Sequence, residues 1–457
     1  MRFTTTNDHK LDWFGWAALT VLFVAPVPLG SNRPWAVAFL FAAQVTLAAI
    51  FLVRYHTQQR TLSNRTRLLL GLLAMWVVIP FLQLLPVPIG LLQWLSPGAA
   101  LVWGAELGRL YAPISLSPGD TAEQGFYQLG VVLFAFVLLE LFRQPAFRQT
   151  FVRLLVLIGA INAIFGLLNV FAGAGMEFFR PATAGLKALT GTYVNKNHFA
   201  GLIALTLPFA IGLFLREKRS VDGEGLSHKL LWLWGGATGL LAVSLILSGS
   251  RGGLLAVTLA GLAVLLVFSP SWGNFAKRLA AFVGLPVILL MVFLSFVGWE
   301  TVWNMYVARE LDPGRIIIYS DSLSLLPDYW WLGGGAGSFE FLYPIAKSAE
   351  LGPGRLDHAH NDFIEILLTT GFVGLFVFLT PLLMVLSRVL SHRGGVMPEH
   401  YEIISGLWAV GSLLIHGLVD FNLQIPSNYL LFVSILMFLW RTGKPVVYHQ
   451  QGESARL

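Results

Sequence analysis

The chain has 457 residues, of which 56% are hydrophobic and only 12% charged, and its mean hydropathy is +0.70. A soluble domain carries about twice that share of charge, so the composition excludes a soluble enzyme, a disordered chain and a nucleic-acid binder. The net charge of +6 reports topology rather than a nucleic-acid partner, and the absence of cysteine removes disulfides, thiolate metal sites and cysteine nucleophiles.

A helix spans a bilayer with roughly 20 mostly apolar residues. Windows of that kind lie near 13–30, 35–53, 68–85, 124–142, 151–172, 198–215, 230–247, 254–268, 279–297, 363–387, 402–418 and 427–440. The expectation is an all-α integral membrane protein with about 12 transmembrane helices, forming a single polytopic domain over 1–457. The stretch 86–103 is apolar but interrupted by Pro86, Pro88 and Pro97, and reads as an interfacial or re-entrant piece rather than a span. Asp8, His9, Lys10 and Asp12 precede the first window and no small-residue cleavage site follows it, which reads as no signal peptide.

Loop charges orient the spans. With a cytoplasmic N-terminus, 20 of the 30 basic residues fall on the cytoplasmic side and 10 on the other. That bias fits the positive-inside rule with both termini cytoplasmic. The ten exceptions are Arg33, Arg109, Arg180, Lys187, Lys196, Arg251, Arg309, Arg315, Lys347 and Arg355. Each alone reads as snorkelling or a solvated loop face. Eight of them gather in three loops beside histidines and glycines, and as a set they point to an anion-binding site.

The segment 298–362 is the one long hydrophilic loop. Its ten aromatic residues, from Trp299 to Tyr343, supply apolar material for an ordered structure. Ile316 to Leu326 reads as an amphipathic helix at the interface. Gly333 to Gly337 reads first as a flexible turn and second as a cradle of backbone N–H groups for an anion. The loop closes on Asp357-His-Ala-His-Asn-Asp362. Three readings stay open there: a metal site built on His and Asp, an N-cap from Asn361 or Asp362, and acid–base catalysis by an imidazole titrating near pH 6.5.

These residues resemble the O-antigen ligase and O-antigen polymerase superfamily of bacterial membrane glycosyltransferases, over about 150–425. The family's His-Asn, nine residues, Gly-x-x-Gly motif is matched by His360-Asn361 and Gly371-Phe-Val-Gly374. Gly191-Thr-Tyr-Val-Asn-Lys-Asn197 resembles its Asn-rich stretch, and Ser248-Gly-Ser-Arg-Gly-Gly253 its Ser-Arg-Gly turn. Gly314-Arg315 with Leu332 to Phe339 resembles its long-loop Arg … Gly-x-Gly region. A second essential arginine precedes the Asn-rich stretch in ligases; here Arg180 and Lys187 both stand in that neighbourhood.

The resemblance implies a GT-C-like fold whose loop 298–362 is periplasmic and carries part of the active site. It implies an undecaprenyl-diphosphate-linked glycan as donor, at the periplasmic face of the bacterial inner membrane. The acceptor is a lipid A-core hydroxyl for a ligase, or another lipid-linked glycan for a polymerase. Catalytic roles are implied for His360 as general base and for Arg251 and Arg315 on the diphosphate. Substrate contacts are implied for Arg180, Lys187, Asn195, Asn197, His358 and Asn361. Displacement predicts inversion at the anomeric carbon, with Asp357 or Asp362 orienting the imidazole and no metal or other cofactor. Beyond substrates, the one partner expected is the lipid bilayer; no nucleic acid is expected. A transporter is the rival reading, weakened by the scarcity of ionisable residues at mid-membrane depth. The segments Gly30 to Trp35 and His416 to Gln424 are candidates for acceptor or lipid contacts, and read first as interfacial anchoring by Trp35 and capping by Asp420.

Overall fold

The computed structural model describes residues 11–55, 62–171, 188–224, 228–269, 313–391 and 400–442, with isolated positions between 276 and 291. Numbering helices over these residues, the long ones are α1 (Trp13–Val24), α2 (Pro34–Tyr55), α3 (Asn64–Gln83), α6 (Pro118–Leu141), α7 (Pro145–Phe171), α8 (Lys196–Glu224), α9 (His228–Leu247) and α10 (Arg251–Phe268). After them come α14 (Asp362–Leu390), α15 (His400–His416) and α16 (Pro426–Thr442). Eleven of the twelve expected windows therefore coincide with helices, and the window 279–297 lies outside the described residues except at 279, 280, 284 and 291.

Among the described residues eight helices are long and apolar enough to cross a bilayer, and α1 and α15 are apolar but shorter. The chain is an all-α integral membrane protein, and the one sheet among the described residues is a two-residue pairing of β1 (Val87–Pro88) with β2 (Tyr111–Ala112). Helix α16 differs from the others. All its residues except Arg441 are buried, against α1, α6, α8, α14 and α15. A helix enclosed on every side needs no polar stripe, which is why its window reads as short but uninterrupted.

The helices alternate in direction, so their ends gather in two groups. At one end, arginines meet acids: Arg54 and Asp12 at 2.9 Å, Arg441 and Glu140 at 2.8 Å, Arg143 and Glu140 at 3.0 Å, Arg216 and Glu402 at 2.6 Å. These cations belong to the more basic set of loops. The opposite end carries the segments that resemble family motifs.

Over that second end lies a cap with its own core. The piece 86–116 forms no span. It folds into the β1–β2 pairing, α4 (Ile89–Leu95), α5 (Pro97–Ala100) and a wide turn over Leu101–Glu106. Leu92, Ala99, Ala112 and Ile114 from this piece pack with Ile318, Tyr329, Phe339 and Tyr343 from the long loop. The loop's helix expected near 316–326 is α11 (Pro313–Ser324), followed by α12 (Leu326–Tyr329) and α13 (Phe339–Leu342).

Helix α14 is broken at Gly371, whose φ of 69° and ψ of −173° are almost restricted to glycine. The break releases Phe372 N to the Trp330 carbonyl at 2.8 Å and Val373 N to the Trp331 carbonyl at 3.3 Å. Gly334 N and Gly335 N return bonds to the Leu368 and Thr369 carbonyls at 2.9 and 3.0 Å. The opened turn is thus paired with the loop, as unwound backbone inside a membrane protein requires. The same bonds decide the role of the glycine run. Its N–H groups at Gly333, Gly334, Gly335 and Ala336 all donate to protein acceptors, so it is a packing joint and not an anion cradle. Gly371→Ala adds a Cβ into the Trp331 carbonyl and is expected to destabilise by about 2 kcal/mol or more. A lowered thermal unfolding midpoint of the purified chain checks this.

Candidate active site

Five segments converge where α8, α10, α14, α15 and α16 meet. Each enters through a local device. Asn195 accepts the Asn197 N–H at 2.9 Å at the start of α8. Ser250 accepts the Gly253 N–H at 3.2 Å and starts α10 immediately at Arg251. Asn361 is the N-cap of α14, accepting from Phe363 N and Ile364 N at 3.0 and 3.1 Å, and its amide donates to the Leu418 carbonyl at 2.8 Å. Of the two N-cap candidates Asn361 takes the role, while Asp362 is fully buried and accepts the Leu423 N–H at 3.1 Å.

Asp420, only 1% exposed, is the hub. Its Oδ2 accepts Asn197 Nδ2 at 2.6 Å and Arg315 Nη2 at 3.3 Å, and His198 Nε2 stands 3.6 Å from Oδ1. Arg315 also donates Nη1 to the Val419 carbonyl. Burial would raise the Asp420 pKa, yet His198, His416 and Arg315 outweigh it and hold the carboxyl well below the usual range. This permanent anion ties Arg315 of the cap to α8. It caps no helix, contrary to the expectation for this segment.

Phe421, the next residue, sits among three imidazoles. His358 stacks on it at 4.2 Å, and His198 and His360 meet it edge-on at 4.6 and 5.0 Å. His358 Nδ1 lies 2.8 Å from Glu365 Oε1, while Glu365 Oε2 accepts the Ala359 N–H at 2.9 Å. The two histidines of the motif are pushed apart in pKa. For His358, burial opposes charge but the Glu365 carboxylate overcomes it, and its pKa lies above 6.5. For His360, burial dominates; Asp420 pulls upward, Arg315 and His358 push downward, and the pKa lies below 6.5. His360 therefore favours the neutral form and His358 the protonated one.

His360 has φ of 51°, uncommon outside glycine. Its carbonyl accepts the Tyr319 hydroxyl at 2.7 Å, and its ring Nδ1 is buried with no protein partner. Buried polar atoms without partners ask for an explanation, and Asp362 Oδ1 is another in this cluster. Tyr319→Phe removes the bond that holds the His360 backbone. Any turnover that depends on His360 is expected to fall about 3- to 10-fold, measured at saturating substrate.

The turn carrying Arg251 abuts the same cluster. The His416 ring packs on Gly252 and Gly253, so closely that a Cβ at either would touch it. His416 Nδ1 lies 3.1 Å from Asn422 Nδ2. Lys196 donates Nζ to the Gly249 carbonyl at 2.8 Å and joins the Asn-rich stretch to the Arg251 turn.

Of the residues singled out from the sequence, Arg251, Arg315, Asn195, Asn197, His358, His360 and Asn361 border this cluster, while Arg180 and Lys187 lie outside the described residues. The other cations of this end divide. Arg109 lies over the Trp103 ring at 4.8 Å, Arg355 pairs with Glu340 at 3.3 Å, and Lys347 ties down the Gly352 carbonyl at 2.5 Å; these serve their loops. The carboxylate bonded to an imidazole is Glu365, on His358, where Asp357 or Asp362 on His360 was expected. Sequence reasoning missed Glu365, and it singled out His416, Asp420 and Phe421 only as parts of one outer-edge segment and His198 only as part of the Asn-rich stretch. The available signal was an acid and a histidine, Asp420 and His416, at the mouth of an otherwise apolar pair of spans. Among the described residues no three His, Asp or Glu side chains are placed to hold a metal ion.

A family model described as O-antigen ligase matches residues 236–379, the stretch holding Arg251, Arg315, His358, His360 and Asn361. The match bears out the resemblance to the O-antigen ligase superfamily. No curated protein matches the chain.

Proposed function

We propose that this membrane protein, whose residues 236–379 match the O-antigen ligase family, transfers a glycan from undecaprenyl diphosphate to an acceptor hydroxyl at the periplasmic face of the inner membrane. The observation that carries the reading is the opposed pair of histidines. Two imidazoles on the Phe421 ring, His358 bonded to Glu365 and His360 with its Nδ1 buried and unpartnered, with arginines beside them, suit anion binding and proton removal together.

In this mechanism His360 takes the proton of the acceptor hydroxyl as that oxygen attacks the anomeric carbon. The bond to the diphosphate oxygen breaks on the opposite face, so configuration inverts. Charge grows on the bridging oxygen as the bond lengthens, and the guanidiniums of Arg251 and Arg315 stabilise it. Protonated His358 adds a third cation to the leaving group. Asn195, Asn197 and Asn361 hold the surrounding backbone and Asp420 in register. Arg180 or Lys187 supplies the remaining diphosphate contact. The arginines neutralise the diphosphate charge that a metal would otherwise offset, so the step is assigned to protein groups alone.

Deleting the gene and analysing surface glycans tests the reading. Glycan missing from the lipid A-core with polymer intact on its carrier supports the ligase. Accumulated single repeats indicate a polymerase using the same chemistry, and unchanged glycans contradict both. Reporter fusions at Leu351 and Gly223 are expected to read periplasm and cytoplasm; the reverse would place the histidines on the wrong side.

A further inference from the structure

At the end of the molecule opposite the histidines, the ends of α3, α6, α7 and α16 enclose a cavity of about 300 Å³. Arg143, Arg148 and Arg441 line it beside Ser63, Thr66 and Phe142, with no acidic residue among the described lining. Glu140 lies behind the wall, 3.0 Å from Arg143 Nε and 2.8 Å from Arg441 Nη2. Arg148 donates Nη1 to the Phe142 carbonyl at 3.1 Å and Arg441 donates Nε to the Leu139 carbonyl at 2.6 Å. These bonds fix the guanidiniums in place at the end of α6, where Arg143 and Arg441 share the single carboxylate of Glu140.

The floor is fixed as well. Ser63 caps α3 by accepting the Thr66 N–H at 3.3 Å, and the Thr66 hydroxyl meets Ser63 Oγ at 2.9 Å and Trp440 Nε1 at 3.3 Å. The first turn of α3 therefore begins at the cavity and adds the positive end of its dipole to three guanidiniums. A planar guanidinium with paired N–H donors matches phosphate oxygens. The site lies where helices end, the depth of lipid headgroups in a bilayer.

We propose that this cavity binds a phosphate-bearing anion, either a phospholipid headgroup or free phosphate, at a site separate from the histidine cluster. It is tested on the full chain in phosphatidylcholine nanodiscs doped with phosphatidylglycerol, with retained lipid counted by native mass spectrometry. A parallel detergent sample is titrated with inorganic phosphate and read by thermal shift. Arg143→Gln/Arg148→Gln leaves Arg441 to partner buried Glu140, and single Arg143→Gln, at a side chain 42% exposed, serves if the double variant does not fold. Arg355→Gln, in the cap, is the control.

The wild type and the control are expected to retain phosphatidylglycerol over phosphatidylcholine, or to shift with phosphate, while the double variant binds about tenfold or more weakly. Preference for the lipid alone identifies a headgroup site, and a shift with phosphate alone identifies a soluble anion. Equal retention of both lipids with no phosphate shift overturns the proposal. So does binding by the arginine variants that equals the wild type.

Discussion

His360→Ala is expected to lower glycan transfer by about 10²–10⁴-fold, the usual worth of a positioned general base, while binding of the lipid-linked donor stays nearly unchanged. The separation follows from timing. The imidazole acts when the acceptor proton leaves, and it holds nothing in the bound donor. His358→Ala removes a cation and not the base, so it is expected to weaken donor binding and to cost less in turnover. The pH dependence carries the same sign. Because the His360 pKa lies below 6.5, the base stays neutral as pH falls through 6.5, and transfer declines only in more acid solution. The His358 pKa lies above 6.5, so its cation is complete at low pH and is lost as pH rises through the raised value. Glu365→Gln removes the carboxylate that raises it and is expected to move that alkaline loss to lower pH. Transfer rates across pH for the three variants check the assignment; near wild-type turnover in His360→Ala would remove general-base catalysis by this residue.

Arg251→Ala and Arg315→Ala are expected to fail differently, raising the donor dissociation constant at least tenfold and slowing transfer too. A diphosphate is present in the bound donor and in the transition state, and a charge-assisted bond to it contributes about 1.5–3 kcal/mol. Lysine keeps the charge and loses the paired donors, so Arg251→Lys is expected to rescue only in part. Arg315 has a further consequence. Its Nη2 is a partner of buried Asp420, and removing it leaves that anion to His198 and Asn197. Arg315→Ala is therefore expected to cost stability as well, seen as a lower unfolding midpoint. Equal donor affinities in both variants and the wild type would place the diphosphate elsewhere.

The sequence made the helices legible because span length and hydropathy are local properties. The same holds for Asn361, a short polar residue directly ahead of an apolar run, and for the chain break at Pro86, Pro88 and Pro97. The hub was not legible. Asp420 acquires its meaning from Asn197, His198 and Arg315, which lie 223, 222 and 105 positions away in the chain, and no window joins them. Glu365 was hidden for another reason. It stands among Phe363, Ile364, Ile366 and Leu367, where a carboxylate reads as part of a span until His358 is seen against it. The glycines of 333–337 suggested a ligand cradle by composition, and their actual partner is the opened turn at Gly371. Only the folded chain shows which acceptors their N–H groups have already met.

The account turns on His360 and the diphosphate donor acting together. The most direct measurement is release of undecaprenyl diphosphate, with glycan appearing on the acceptor, by purified protein in nanodiscs containing lipid-linked glycan, acceptor and excess chelator. Wild-type protein is expected to release carrier and form product in equal amounts, and His360→Ala to bind donor yet release almost none. Release that persists in His360→Ala, or that stops in the wild type with chelator and returns with a divalent ion, would contradict the account.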